Sequence, residues 1–128
     1  MIYVDTSVVL AQLLDEERRP PVELWDSVLV SSRLIEYETW VRLNARGLGA
    51  SHGDAARSLL GRIALCELTP VVLARALEPF PVAVRTLDAL HLATIEFLRS
   101  HRLAVTLATY DDRQRAVAEQ MQTAVYPL

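Results

Sequence analysis

The sequence predicts an α/β fold, a three-layer α/β/α sandwich with a mainly parallel central sheet. Three observations predict it. Apolar runs too short for helices alternate along the chain with segments of helical character, which is the signature of βαβ units. Those runs are continuous rather than alternating with polar residues, as expected of strands buried on both faces. Finally, 128 residues, 52% hydrophobic and 23% charged, suit one globular domain spanning residues 1–128, long enough to bury about two thirds of its unfolded surface without disulfides or a structural metal.

Met1 to Val4 is the first buried strand, breaking at Asp5, Thr6 and Ser7. Ser7 is the expected cap of a helix over Val8 to Leu14, which ends in the charged stretch Asp15 to Arg19 and the pair Pro20, Pro21. A short helix over Val22 to Asp26 leads to a second strand, Val28 to Val30, stopped by Ser31 and Ser32. Helix is expected from Arg33 to Arg46, ended by Gly47 and Gly49, and again from His52 to Arg62. Ile63 to Leu68 is the third strand. Thr69 and Pro70 open the next helix, since proline suits a first turn, and Pro79 and Pro81 close it. The longest helical pattern runs from Thr86 to Arg99, with Leu87, Leu90, His91, Thr94, Phe97 and Leu98 at helical spacing. Ala104 to Ala108 is the fourth strand. Asp111 and Gln114 form a capping-box pattern for a helix through Met121, and Ala124 to Tyr126 is a short closing strand.

Composition removes several chemistries. All 13 basic side chains are arginine, set against 16 acidic ones for a formal charge of −3. Without lysine there is no Schiff-base enzyme, no P-loop lysine and no serine/lysine hydrolase. The acidic balance argues against a general nucleic-acid coat, though not against a nuclease whose acids bind metal. Cys66 stands alone and is expected to be a small core residue. No apolar stretch approaches the roughly 20 residues of a membrane span, and Met1 to Val4 carries no basic leader, so no membrane association and a cytoplasmic location are expected.

Ligands of a parallel sheet bind beyond the carboxyl ends of its strands. Asp5 follows the first strand, Asp111 follows the fourth, and Asp88 lies at the start of the long helix. A fourth acid comes from Glu36 or Glu38, and Asp112 adjoins Asp111. Each acid alone has an ordinary explanation. Asp5, Asp88 and Asp111 suit helix N-termini, Glu38 has Arg42 four residues on, and Arg85 and Arg115 are placed to pair with Asp88 and Asp111. Together they fit a hard-cation site for Mg²⁺ or Mn²⁺ and metal-assisted phosphodiester hydrolysis. His91, on the apolar stripe of the long helix, is expected to be packed and hydrogen-bonded, with His52 and His101 solvated near element ends.

The same residues resemble the PIN-domain ribonucleases, and within them the VapC-type toxins of toxin–antitoxin pairs, over essentially the whole chain. Asp5, Thr6 and Ser7 resemble the family's opening DTS. Ser31 to Thr39 resembles its second motif, with Glu38 at the position of the glutamate. Leu87 to Thr94 reads LDALHLAT, the most distinctive run, carrying Asp88, and Thr109, Tyr110 and Asp111 resemble the closing TYD. The resemblance implies an endoribonuclease in which Asp5, Glu38, Asp88 and Asp111 hold Mg²⁺ or Mn²⁺, with Ser7 and Thr109 as supporting hydroxyls and Glu36 and Asp112 as the lesser candidates. It also implies a homodimer neutralised by a VapB-like antitoxin lying over the first helices. The apolar helix Val8 to Leu14, with Trp25 and Trp40, could supply a groove for it, with ordinary core packing the alternative for each tryptophan.

RNA contacts must come from arginine, and Arg33, Arg42, Arg46, Arg85 and Arg113 lie nearest the motifs. A HAD-type phosphatase is disfavoured because Ser7 stands where those enzymes carry a second aspartate and no lysine follows. A non-catalytic PIN-like module that binds protein or RNA is the remaining alternative, disfavoured by intact acids at all four motif positions.

Overall fold

Strand β1 (Ile2–Val4) is three residues long and sits in the middle of the molecule. Its pleat sends Tyr3 to one face of the sheet and Val4 to the other, and both are completely buried. In the computed structural model, which describes residues 1–128, the chain continues through α1 (Thr6–Leu13), a 3-10 turn (Val22–Asp26), β2 (Leu29–Ser32), α2 (Leu34–Ala45) and α3 (Gly49–Leu60). It then forms β3 (Ala64–Cys66), α4 (Pro70–Ala76), α5 (Thr86–Ser100), β4 (Thr106–Ala108), α6 (Asp112–Gln120) and β5 (Ala124–Val125).

The five strands are all parallel, in the order β3-β2-β1-β4-β5. On the Val4 face, Val8 and Val9 of α1, Ile35 of α2 and Leu60 of α3 pack with Leu24, Trp25, Leu29 and Ala108. On the Tyr3 face, Leu92, Ile95 and Leu98 of α5 and Val117 and Ala118 of α6 pack with Val30, Val105 and Leu107. Helices therefore cover both faces, and the expected three-layer α/β/α sandwich is what forms. Burying each Val, Leu or Ile side chain among these contributes about 1.5–3 kcal/mol, so the short strands are held mainly by side-chain packing.

Several boundaries differ from the sequence reading, each for a local reason. Asp5, not Ser7, caps α1, because its side chain accepts from the Ser7 amide and the helix starts at Thr6. Ser31 and Ser32 do not stop β2 but complete it. Both are fully buried, and their hydroxyls are satisfied inside: Ser31 Oγ donates to the Val4 carbonyl at 2.7 Å and Ser32 Oγ accepts from the Leu34 amide at 3.1 Å. Val28, expected inside the strand, is instead exposed. Gly47 ends α2 in the left-handed conformation with φ of 66°, whereas Gly49 is the first residue of α3 rather than a stop. Ile63 belongs to the core ahead of β3. Thr69 caps α4 with Pro70 in its first turn, as expected. Cys66 is only half-buried at the edge of the sheet, and burial pushes its thiol pKa up.

The order of the strands fixes where a ligand can sit. From β1 the chain moves outward to β2 and β3, then returns across the sheet to β4 and β5 on the other side of β1. The carboxyl ends of β1 and β4 are adjacent, with Val4 paired to Ala108. The connections leaving them run to opposite faces and leave a crevice between, the switch point at which open parallel sheets bind ligands.

Candidate active site

A cleft of about 520 Å³ opens at this switch point, lined by Asp5, Thr6, Ser7, Leu10, Glu38, Arg42, Arg85, Thr86, Leu87, Asp88 and Asp111. Four carboxylates from four different elements meet there. Asp5 and Asp111 come from the turns after β1 and β4, Glu38 from the second turn of α2, and Asp88 from the first turn of α5. The structure thereby separates Glu38 from Glu36. Glu36 points to another concavity, with Trp40 and Arg57, and pairs with Arg33. Asp112 is exposed and does not line the cleft.

Asp5 is 6% exposed and is the most heavily hydrogen-bonded acid. Its Oδ2 accepts from Ser7 Oγ at 2.7 Å, from the Ser7 amide at 3.3 Å and from Thr109 Oγ1 at 3.0 Å. Gln114, with its amide nitrogen oriented toward the carboxylate, donates to Oδ1 at 3.0 Å. Both supporting hydroxyls thus converge on the same acid. They also brace the neighbouring turn, since Ser7 Oγ accepts from the Tyr110 amide at 2.9 Å and Thr109 Oγ1 from the Asp111 amide at 3.0 Å.

Asp111 is the cap of α6, with Oδ1 accepting from the amides of Arg113 and Gln114. The other half of the expected capping box does not form. Instead of returning to Asp111, the Gln114 side chain is buried against Asp5. Capping and cleft-lining are both true of Asp5 and Asp111. Asp88 caps nothing. Its carboxylate pairs with Arg85 Nε at 3.3 Å, while Arg85 Nη2 reaches Asp111 Oδ2 at 3.2 Å. Arg115, expected beside Asp111, bonds the Thr109 carbonyl instead.

Glu38 has no ion pair with Arg42. Its Oε1 accepts from Thr6 Oγ1 at 2.9 Å and meets Nε2 of His91 at 2.5 Å. His91 is fully buried, as expected, and its Nδ1 lies 2.7 Å from the Tyr3 hydroxyl. Burial alone pulls the imidazole pKa down, but the bond to Glu38 and the charges of Asp5, Glu38 and Asp88 together outweigh it, leaving it above the usual value. Burial pushes the Asp88 carboxyl up, and Asp111 and Asp5 add to this against the opposing Arg85.

Gln114, Thr6 and Tyr3 are the residues that sequence reasoning left without a role here. For Gln114 a signal existed, since it shares the inward face of α6 with Val117 and Ala118, and a buried amide needs a polar partner. The two cleft arginines are Arg42 and Arg85. Arg113 borders an adjoining small cavity, and Arg33 is tied to Glu36 and Glu67. The expected apolar groove is not present as such, because Val8, Val9 and Trp25 lie in the core and Trp40 packs on Gly53 and under Arg57.

The donor set is all oxygen, the choice of Mg²⁺ and Mn²⁺ rather than of softer metals. As the side chains stand, no three of them converge closely enough to enclose an ion. The gap between Asp88 and Asp111 is spanned by the Arg85 guanidinium. An organic cation bridging Asp88 and Asp111, and the Asp88 carboxyl made harder to ionise by burial and by its acidic neighbours, are the marks of a site with surplus negative charge, so the residues fit a divalent ion.

The PIN domain family model matches residues 2–120. Among characterised proteins, the chain is 29% identical to Ribonuclease VapC35 of Mycobacterium tuberculosis over 130 aligned residues, covering 98% of this chain and 95% of that protein. It is 33% identical to Ribonuclease VapC46 of the same organism, covering 97% and 95%. No solved structure gives a significant match.

Proposed function

The chain belongs to the PIN domain family, and from that premise we propose that it is a metal-dependent endoribonuclease. In this reading it is the toxin of a type II toxin–antitoxin pair, neutralised by a VapB-like antitoxin. The observation that carries the proposal is the meeting of Asp5, Glu38, Asp88 and Asp111, from four separate elements, in one cleft at the switch point of the sheet. The names of VapC35 and VapC46, both ribonucleases, supply the reaction class.

Asp5, Glu38, Asp88 and Asp111 are the residues that would hold the ion. Bound Mg²⁺ or Mn²⁺ supplies Lewis acidity, making water a competent nucleophile at neutral pH and stabilising the charge that builds on the phosphoryl oxygens. The chain's own part is largely preorganisation. Ser7, Thr109 and Gln114 fix Asp5, so that its carboxylate does not reorganise during the reaction. Arg42 and Arg85, at the rim of the same cleft, are placed to receive the phosphates flanking the scissile bond, Arg85 by leaving its carboxylates. Water attacks phosphorus and the bond to the leaving ribose oxygen breaks. In the same reading the protein is cytoplasmic. No helix is long and apolar enough to cross a membrane. The protein is expected to act as a homodimer, with the antitoxin covering the cleft.

The deciding experiment incubates the purified, partner-free chain with total RNA and Mg²⁺ or Mn²⁺, beside an EDTA control and the Asp5→Asn variant. Discrete fragments that require metal and are missing with the variant are the expected result. Absence of cleavage by the folded parent over a range of RNAs would overturn the proposal in favour of a PIN-like binding module.

A further inference from the structure

We propose that His91 is a positioning residue for Glu38, and that Tyr3 in turn holds His91; the inference rests on reading the cleft as a metal-dependent nuclease site. A buried imidazole must find partners for both ring nitrogens. His91 finds them on opposite sides, the Tyr3 hydroxyl at 2.7 Å and Glu38 at 2.5 Å. The Glu38 carboxylate only accepts, so Nε2 carries a hydrogen. On the other side, the Tyr3 oxygen accepts from the Ser32 amide at 3.1 Å, which leaves the phenol hydrogen for Nδ1.

The result is a continuous path from the backbone of β2 through phenol and imidazole to an acid of the cleft. It crosses from one packed layer to the other, since Tyr3 and His91 belong to the sheet and α5 while Glu38 comes from α2. Glutamate is the longest of the four acids and the least fixed by its own backbone. Asp5 and Asp111 are held by the turns and helix starts they cap, and Glu38 has no cap to hold it. His91 and Thr6 take its place, both bonding Oε1. Two donors saturate that oxygen and leave Oε2, which has no hydrogen bond within the protein, as the atom Glu38 offers to a cation. An outer partner of this kind orients the acid that does the ligating, as hydrogen-bonded neighbours do for metal ligands generally.

Three proteins test this: the parent, His91→Leu, and His91→Gln, whose amide offers an N–H toward Glu38. Each is measured for Mn²⁺ affinity by calorimetry without RNA, for kcat and KM on a short RNA, and for Tm. His91→Leu is expected to weaken Mn²⁺ binding and lower kcat about 10- to 100-fold with KM little changed, and His91→Gln to recover most of both. A folded His91→Leu protein that binds Mn²⁺ and cleaves like the parent overturns the inference, as does His91→Gln faring no better than His91→Leu at equal Tm. Should both variants fail to fold, ¹⁵N NMR of the parent decides. A slowly exchanging Nε2 hydrogen, displaced in Glu38→Ala, is expected, and an unprotonated Nε2 overturns the inference. A parent that cleaves no RNA overturns the nuclease reading instead, while the Mn²⁺ affinities and NMR still test the positioning role.

Discussion

Arg85 Nη2 lies 3.2 Å from Asp111 Oδ2 while Nε of the same side chain lies 3.3 Å from Asp88 Oδ2. One guanidinium therefore occupies the ground between two of the acids that a divalent cation needs. The arginine is largely solvent-exposed, at 65% of its side chain, so the pairs it makes are weak and readily exchanged. Arg85→Ala is expected to tighten Mn²⁺ binding in the absence of RNA by about two- to fivefold, the equivalent of an exposed ion pair, and to raise KM for RNA. Calorimetry beside steady-state kinetics checks both. Looser ion binding would show that Arg85 supports the acids rather than competing with the ion.

Asp88→Asn is expected to abolish cleavage and at the same time to stabilise the fold. The Asp88 carboxyl stands above its ordinary value of 3.8 because burial and the charges of Asp111 and Asp5 prevail over Arg85. The folded state thus keeps this proton to a higher pH than the unfolded chain does. Its contribution to stability is present below the unfolded value and is lost as pH rises through the folded one. At neutral pH the ionised carboxylate is a net cost that asparagine removes. Thermal unfolding without metal should show the variant melting higher at pH 7, with the difference fading toward pH 3.8 and below. A lower Tm at pH 7 would contradict the sign.

Glu38 and Glu36 lie two positions apart on α2 and in different surroundings. Glu38→Gln is expected to lower cleavage and Mn²⁺ affinity by about tenfold or more. Glu36→Gln should leave both unchanged, since it removes only an exposed pair with Arg33 of a kind contributing at most about 1 kcal/mol. Asp112→Asn should behave like Glu36→Gln. Parallel cleavage assays on the three variants check the assignment, and loss of activity in Glu36→Gln would reverse it.

The fold was legible because β1, β2 and β4 are buried on both faces and therefore lack the polar alternation of a half-exposed strand. The acids Asp5 and Asp111 were legible because they lie in the turns after β1 and β4, where the parallel topology gathers its loops. What the chain order does not display is the partnership of distant side chains. Nothing local links Glu38 to His91, 53 residues away, and a histidine on an apolar stripe reads as core until its partner is known. Ser31 and Ser32 misled for a related reason. Serine looks like a strand stop until its hydroxyl is seen to bond a neighbouring carbonyl or the next helix's amide. Trp25 reads in sequence as groove or as core, and only its packing with α1 beneath the sheet decides it.

Gln114 offers the sharpest separation of helix stability from site chemistry. As the third residue of α6 it matches a capping box, and in that role its loss would fray the helix and little else. Its side chain instead reaches Asp5 Oδ1, on the face of α6 shared with Val117 and Ala118. The cap of α6 is made by Asp111 accepting from backbone amides, which any residue at position 114 supplies except proline. Gln114→Leu keeps volume and helix propensity and removes only the donor to Asp5. Cleavage is accordingly expected to fall about 10- to 100-fold with α6 intact. Gln114→Glu, which sets a second negative charge against the buried Asp5, should be the more damaging of the two without metal, and added Mn²⁺ should recover part of its lost Tm. Circular dichroism, Tm with and without Mn²⁺, and cleavage rates on both variants make the check. Full activity in Gln114→Leu would show that Ser7 and Thr109 suffice to hold Asp5.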